Sequence, residues 1–327
     1  MTSFTRWLVP LGVAIALAAV PLFLAPYATT TMTRILVFGL LAASLALLVG
    51  ITGLPSLGHA AYFGVGAYAG GWFAANVSAQ APLSLLVAAV AGGIAAAATG
   101  WVAVRSSGVF FLVLTLAIGE IVHQVVESWE SVTGGSNGLY GIPATTVGGA
   151  PVDDVAPLYW FVLLAFGVGF AALWLVARSP FGRALRGIHD NESRMRALGY
   201  PTSLYKYAVF VIAGTVAGLA GGLLAAQQRL VTPEDLGFTT AALALLAVII
   251  GGAGSLWGAC VGAALVIVVR DALGPTLDGH GPLLLGVVFI LVVYLMPRGV
   301  AGIRLRRRPA EPDVAEPEPV PSGGVRR

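Results

Sequence analysis

The sequence predicts an all-α polytopic membrane protein, and two observations carry that fold class. Apolar residues make up 57% of the 327 residues and charged residues only 10%, where soluble domains carry about 25% charged. The apolar residues also gather into long runs, and a bilayer core about 30 Å thick takes roughly 20 of them per helical span. A mean hydropathy of +0.89 agrees.

The first run, 8–27, is too long for the apolar part of a cleaved signal and reads as a retained span. Runs at 34–53, 59–76, 83–104, 108–127, 158–177 and 207–226 each suffice to cross. Two further runs, 239–252 and 256–270, are short and separated only by Ala253-Gly254-Ser255. They read either as tilted short helices or as a discontinuous pair lining a pathway. A run at 283–297 completes about ten spans, with eight to ten compatible with the pattern. The membrane domain is therefore 1–303. The tail 304–327 opens on Arg304-Leu305-Arg306-Arg307-Arg308 and continues in Pro and Glu. It has too little apolar content to fold and is expected to be disordered, its arginines against anionic lipid.

Arginine placement sets the orientation, because inner loops retain positive charge. With both termini cytosolic, fifteen Lys/Arg lie inside and three (Arg34, Arg229, Arg270) outside. Segment 128–157 has no Lys or Arg and is expected to be external. Six bases crowd the inner segment 178–206. Net charge of +3 records these loops and does not point to nucleic acid.

Several chemistries lack their residues. The single lysine, Lys206, follows a tyrosine, and no Gly-x-x-x-x-Gly-Lys-Ser/Thr segment exists to cradle phosphates. There is no His-Glu-x-x-His, and the four histidines are scattered without ligand spacing. One cysteine, Cys260, excludes an internal disulfide. No metal or cofactor of its own is expected, and no enzymatic activity.

Glu120 lies inside the fifth span, and Glu120, His123, Gln124 and Glu127 recur at helical spacing. An intramembrane carboxylate is costly unless paired or hydrated, so Glu120 reads as a pathway group or as a packing hydrogen bond. His59 opens the third span, as a packing histidine or a pathway group. Gly64, Gly66, Gly70 and Gly71 form one small-residue cluster and Gly214, Gly218, Gly221 and Gly222 another, suited to close helix packing. Ser56-Leu57 and Ser255-Leu256 each precede a small-residue-rich span, a hint of an internal repeat. From Gly182 to Leu198 the inner segment has helical spacing, with Pro180 to start it and Gly199 to end it. Leu185, Ile188, Met195 and Leu198 make its apolar side, and arginines with Asp190 and Glu192 its polar side. It would rest on a protein partner or on lipid.

The run from Ser56-Leu57-Gly58-His59 through Gly64-Val65-Gly66-Ala67-Tyr68 resembles the signature of branched-chain amino acid ABC importer permeases of the LivM type. Leu114–Ile121, Thr133-Gly134-Gly135-Ser136-Asn137-Gly138-Leu139, Ser179-Pro180-Phe181-Gly182-Arg183, Gly251–Gly258 and Met296-Pro297-Arg298-Gly299 continue the resemblance in order. It departs from that pattern at Gly53-Leu54-Pro55, where the family more often has a Gly-Gln/Tyr-x lead, and at His123, where arginine is common. Relatives carrying urea or short amides share similar motifs. The resemblance implies a permease of the bacterial plasma membrane, importing leucine, isoleucine and valine. Its partners would be a second homologous permease, two cytosolic subunits binding ATP and Mg, and an external solute-binding protein. Urea or amide import, and ion-coupled transport through Glu120, are the alternatives. Ser56, His59, Glu120, His123 and Asn137 are the candidate residues of the substrate pathway. In the coupling loop the resemblance makes Phe181 and Leu185 apolar anchors in an ATPase groove, beside Gly182. Arg183, Arg186, Arg194 and Arg196 would form the polar rim, with Asp190 and Glu192 in the same coupling loop. The loop 128–157 would receive the binding protein.

Overall fold

A computed structural model describes residues 5–273 and a few single positions between 283 and 299. Most of the predicted tenth span and the whole tail 304–327 lie outside the described residues. The elements are α1 (Thr5–Phe23), α2 (Pro26–Ala46), α3 (His59–Asn76), α4 (Ala81–Ala103), α5 (Gly108–Ser128), α6 (Glu130–Thr133), α7 (Val155–Arg178), α8 (Pro180–Asp190), α9 (Glu192–Ala197), α10 (Thr202–Gln228), α11 (Phe238–Gly251) and α12 (Leu256–Ile267). A two-residue hairpin pairs Thr146–Val147 with Ala150–Pro151. The protein is an all-α membrane protein in which five described helices are long and apolar enough to cross a bilayer: Pro26–Thr52, Ala81–Ala103, Gly108–Ser128, Val155–Arg178 and Thr202–Gln228.

Boundaries follow local chemistry. Pro26 sits in the first turn of α2, where its missing N–H costs nothing. The chain therefore breaks at Leu24-Ala25, inside the predicted first run, and the second helix begins earlier than its apolar run at 34. Apolar composition is continuous across the break and hides it.

α2 and α10 form the centre, with 83% and 72% of their most apolar windows buried, whereas α5 buries only 22% and lies at the periphery. The two glycine clusters meet there. A Cβ on Gly66 would strike Gly218, one on Gly218 would strike Ala88 and Gly92, and one on Gly221 would strike the Phe63 carbonyl. Without side chains at these points α3, α4 and α10 approach backbone to backbone, which is how helices associate where no hydrophobic force drives them together.

The choice left open for 239–270 falls toward a broken segment. After α10 the chain turns back into the bundle through a 3-10 turn, Pro233–Leu236, and Leu236 packs on Gly64 in the first half of α3. Helix α11 starts from that buried turn and has 14 residues, about 21 Å at 1.5 Å each, short of a full crossing.

The repeat hint also acquires a form. α2 continues through a π-helical stretch, Leu47–Thr52, to Gly53 at φ 74°, and α11 ends at Gly252 at φ 97°. Left-handed φ favours glycine at both corners. Three residues on, Ser56 and Ser255 precede α3 and α12, and Ser255 caps α12 by accepting from the Gly258 N–H at 3.1 Å. The two corners pack together, since a Cβ on Gly50 would fall on the Ala253 carbonyl.

Candidate functional site

The charged elbow between α7 and α10 is two helices rather than the single predicted one. Ser179 caps α8 by accepting from the Gly182 N–H at 3.1 Å. At Asn191 the backbone extends to φ −160°, and the Asn191 side chain accepts from the Arg194 N–H at 2.8 Å to start α9. A good N-cap residue in mid-segment restarts the helix. Gly199, at φ 87°, ends the segment as expected.

The apolar side of α8 turns inward. Leu185 is fully buried and Ile188 and Ala184 are buried, all against this chain's own helices, so Leu185 is no exposed anchor. Of the predicted apolar stripe, Leu185 and Ile188 are satisfied within the bundle, whereas Met195 is half-buried and Leu198 is exposed. Phe181 is half-buried and stacks on Tyr205 at 5.2 Å between ring centroids. Arg183, Arg186, Asp190, Arg194 and Arg196 remain exposed. Arg186 also donates from Nη2 to the Ala177 carbonyl at 2.6 Å, tying α8 to the end of α7.

Glu192 faces inward as a strut. It accepts from Lys206 Nζ at 3.0 Å, Thr202 Oγ1 at 3.0 Å and Arg196 Nη2 at 2.8 Å. Partial burial raises the Glu192 carboxyl, and the Lys206 ammonium with the other two donors outweighs it, leaving the group below its usual 4.5. A depressed carboxyl contributes stability that is complete above the unfolded value and is lost as pH falls through the lowered one. The elbow is therefore expected to loosen below about pH 4.5. Hydrogen exchange of 180–204 against pH checks this, and Glu192→Gln should abolish that acid-side dependence. An acid limb unchanged in the variant would refute the strut.

At the opposite end of the bundle a second polar assembly closes around a cavity of about 50 Å³. Arg34, Gln227, Asp235 and Arg270 line it with apolar Phe38, Phe63, Leu224 and Ile267. Asp271 bridges the two arginines, accepting from Arg34 Nη1 at 3.1 Å and Arg270 Nε at 2.8 Å. Gln227 donates from Nε2 to the Thr30 carbonyl at 3.3 Å. In the connecting turn Asp235 accepts from the Thr232 N–H at 2.8 Å and hydroxyl at 3.1 Å. Burial nevertheless pushes its carboxyl above the ordinary value. Arg34 Nε and Gln227 Oε1 are buried without a hydrogen-bond partner among the described residues, as is the Tyr68 hydroxyl, which lies within electrostatic reach of Asp235.

The predicted pathway residues do not gather in one cavity. His59 is buried at the start of α3, with Nε2 2.8 Å from Ser44 Oγ on α2. Its Nδ1 and the buried Ser56 Oγ have no partner among the described residues. Glu120 and Gln124 are exposed on the outer face of α5, while His123 and Glu127 are half-buried beside it. The His123 ring lies beside Gly237. Asn137 is exposed in a 3-10 turn of the 128–157 loop, and its neighbour Ser136 donates to Glu127 Oε1 at 3.4 Å. The cavity residues were missed because single polar residues at span ends read as ordinary boundaries. Two of them, Arg34 and Arg270, had been noted only as outer charges. Among the described residues no group of three or more His, Cys, Asp or Glu could hold a metal.

The family model described as "Branched-chain amino acid transport system / permease component" matches residues 27–306. The chain is similar to the high-affinity branched-chain amino acid transport system permease protein LivM of Salmonella typhimurium, 30% identical over 83% of this chain and 68% of that protein. It is 28% identical to LivM of Escherichia coli over 82% of this chain and 68% of that one. LivH of Salmonella typhimurium is 27% identical over 81% of this chain and 91% of its own length. No solved structure matches. Matched over most of its length and built of membrane-spanning helices, the chain belongs to the branched-chain amino acid transport system permease family, as a multi-pass protein of the bacterial inner membrane.

Proposed function

We propose that the chain is one membrane subunit of an ATP-driven importer and carries leucine, isoleucine and valine into the cell. The family match over 27–306 carries this reading. The relatives' printed names state that they serve branched-chain amino acid transport, and LivM and LivH are separate permease proteins of such systems. A second permease subunit, two ATP-binding subunits holding ATP and Mg, and an external solute-binding protein would complete the machine. This chain would contribute no ATPase site, as its lack of a phosphate-cradling loop suggests.

The excess of arginine on the 178–206 side supports cytosolic termini, and the apolar runs support about ten spans and a membrane domain of 1–303. The elbow α8–α9 would then meet the ATPase. Its buried apolar side and Glu192 strut make it rigid, and its exposed arginines supply the contact. Motion of the ATPase dimer would be transmitted through that contact to switch access. The 128–157 segment would receive the binding protein. Co-reconstitution tests the reading: uptake of leucine should require ATP and the ATPase subunits and should survive collapse of ion gradients. Uptake that fails without an ion gradient would favour the ion-coupled alternative.

Glu120 and Gln124, exposed on the peripheral helix α5, are costly against lipid. That face would meet the second permease subunit, with a hydrated pathway between the two. Glu120→Gln is expected to lower leucine uptake about 10-fold, a loss of about 1.4 kcal/mol in transition-state stabilisation. Uptake at the wild-type rate, at equal expression, would remove Glu120 from the pathway.

A further inference from the structure

We infer that the cavity between α2, α3, α10 and the 233–236 turn is a transit site for the charged head of an α-amino acid, binding carboxylate and ammonium at once. The inference rests on the proposed import of amino acids and names the site through which they pass. Three features point to it. First, the site holds both signs: Arg34 and Arg270 line it together with Asp235 and Gln227, whose carbonyl oxygen is an acceptor. Asp271 offsets part of the positive charge through its two ion pairs. A zwitterion satisfies both ends, whereas a neutral amide such as urea brings no charge to either. Second, Arg34 Nε, a donor, and Gln227 Oε1, an acceptor, are buried and unpartnered among the described residues. Buried polar atoms are left unpaired at a cost, and such exceptions need an occupant. Third, the cavity of about 50 Å³ exceeds the roughly 10–15 Å³ that one water needs. It fits a charged head rather than a whole branched amino acid, and Phe38, Phe63 and Leu224 offer apolar surface to the side chain. An arriving ammonium would also favour the ionised form of Asp235, which burial disfavours.

The site lies at the end of the bundle opposite the charged elbow, where α2 begins and α10 ends. In the proposed orientation that is the external end, at which solute arrives.

The test uses the complete complex in lipid nanodiscs, without the binding protein, and saturable binding of labelled leucine. On the wild type, leucinamide lacks the carboxylate and 4-methylpentanoate lacks the ammonium. Each should compete at least 10-fold more weakly than leucine, and urea not at all. Gln227→Leu and Asp235→Asn should each weaken leucine binding at least 10-fold in complexes that assemble as the wild type does. Equal competition by either analogue would overturn the inference, as would undiminished binding by both variants or no saturable binding at all. A cavity filled by water alone would give that last result. Leucine uptake by the wild type with ATP and binding protein is measured in parallel. If uptake is normal while binding fails, only the transit site is wrong; if wild-type vesicles take up no branched-chain amino acid, both readings fall.

Discussion

Replacing Arg183 with glutamate, alone and together with Arg186→Glu, is expected to separate ATP hydrolysis from uptake. Both guanidiniums are exposed on α8 while the apolar side of that helix is locked into the bundle. The Arg183 reversal should therefore leave the fold in place and alter only what the elbow presents. A like-charge juxtaposition across an interface costs several kcal/mol, and each 1.4 kcal/mol is about tenfold in affinity. Leucine uptake should fall at least about 10-fold in the double variant while the ATPase subunits continue to turn over. Arg186 also holds the Ala177 carbonyl, so the single Arg183→Glu variant separates lost docking from a loosened α7–α8 junction. Wild-type uptake and assembly in both variants would refute contact between this surface and the ATPase.

Gly221→Ala should destabilise the protein far more than Gly167→Ala, although both glycines lie within apolar helices. A Cβ at Gly221 would fall on the Phe63 carbonyl and crowd the Ala67 N–H, whereas a Cβ at Gly167 meets nothing within 4 Å. Backbone cannot rotate away as a side chain can, so α3 and α10 must separate. Overpacking of this kind costs about 1–3 kcal/mol, a shift of several degrees in unfolding midpoint. At Gly167 the added methyl should leave stability unchanged or slightly raised. Equal midpoints for the two variants in detergent would show that the close crossing is not what holds the bundle together.

Much of the architecture was legible because lipid imposes simple rules. Long apolar runs became helices, and glycines at helical spacing became the α3–α10 crossing. The lack of bases in 128–157 and their excess in 178–206 marked opposite ends of the bundle. Less legible was anything decided by one polar side chain finding one partner. Asn191 reads as another polar residue in a helical stretch until its side chain is seen starting α9. The spacing of Leu185 and Ile188 reveals an apolar stripe but not which surface it meets. The cavity was the hardest to foresee, since Arg34, Gln227, Asp235 and Arg270 come from four separate segments. Only the turn of the chain back into the bundle before α11 brings Asp235 to the others.

The paired corners at Gly53 and Gly252 have a mechanical corollary. The His189 ring of α8 rests directly over Gly53, and the turn around Gly53 abuts the one around Ala253 through Gly50. A push delivered to α8 thus reaches both helical hairpins, α2–α3 and α11–α12, through a single joint only a few atoms thick. A side chain at Gly50 would strike the Ala253 carbonyl, so bulk added at that joint would disturb both hairpins at once.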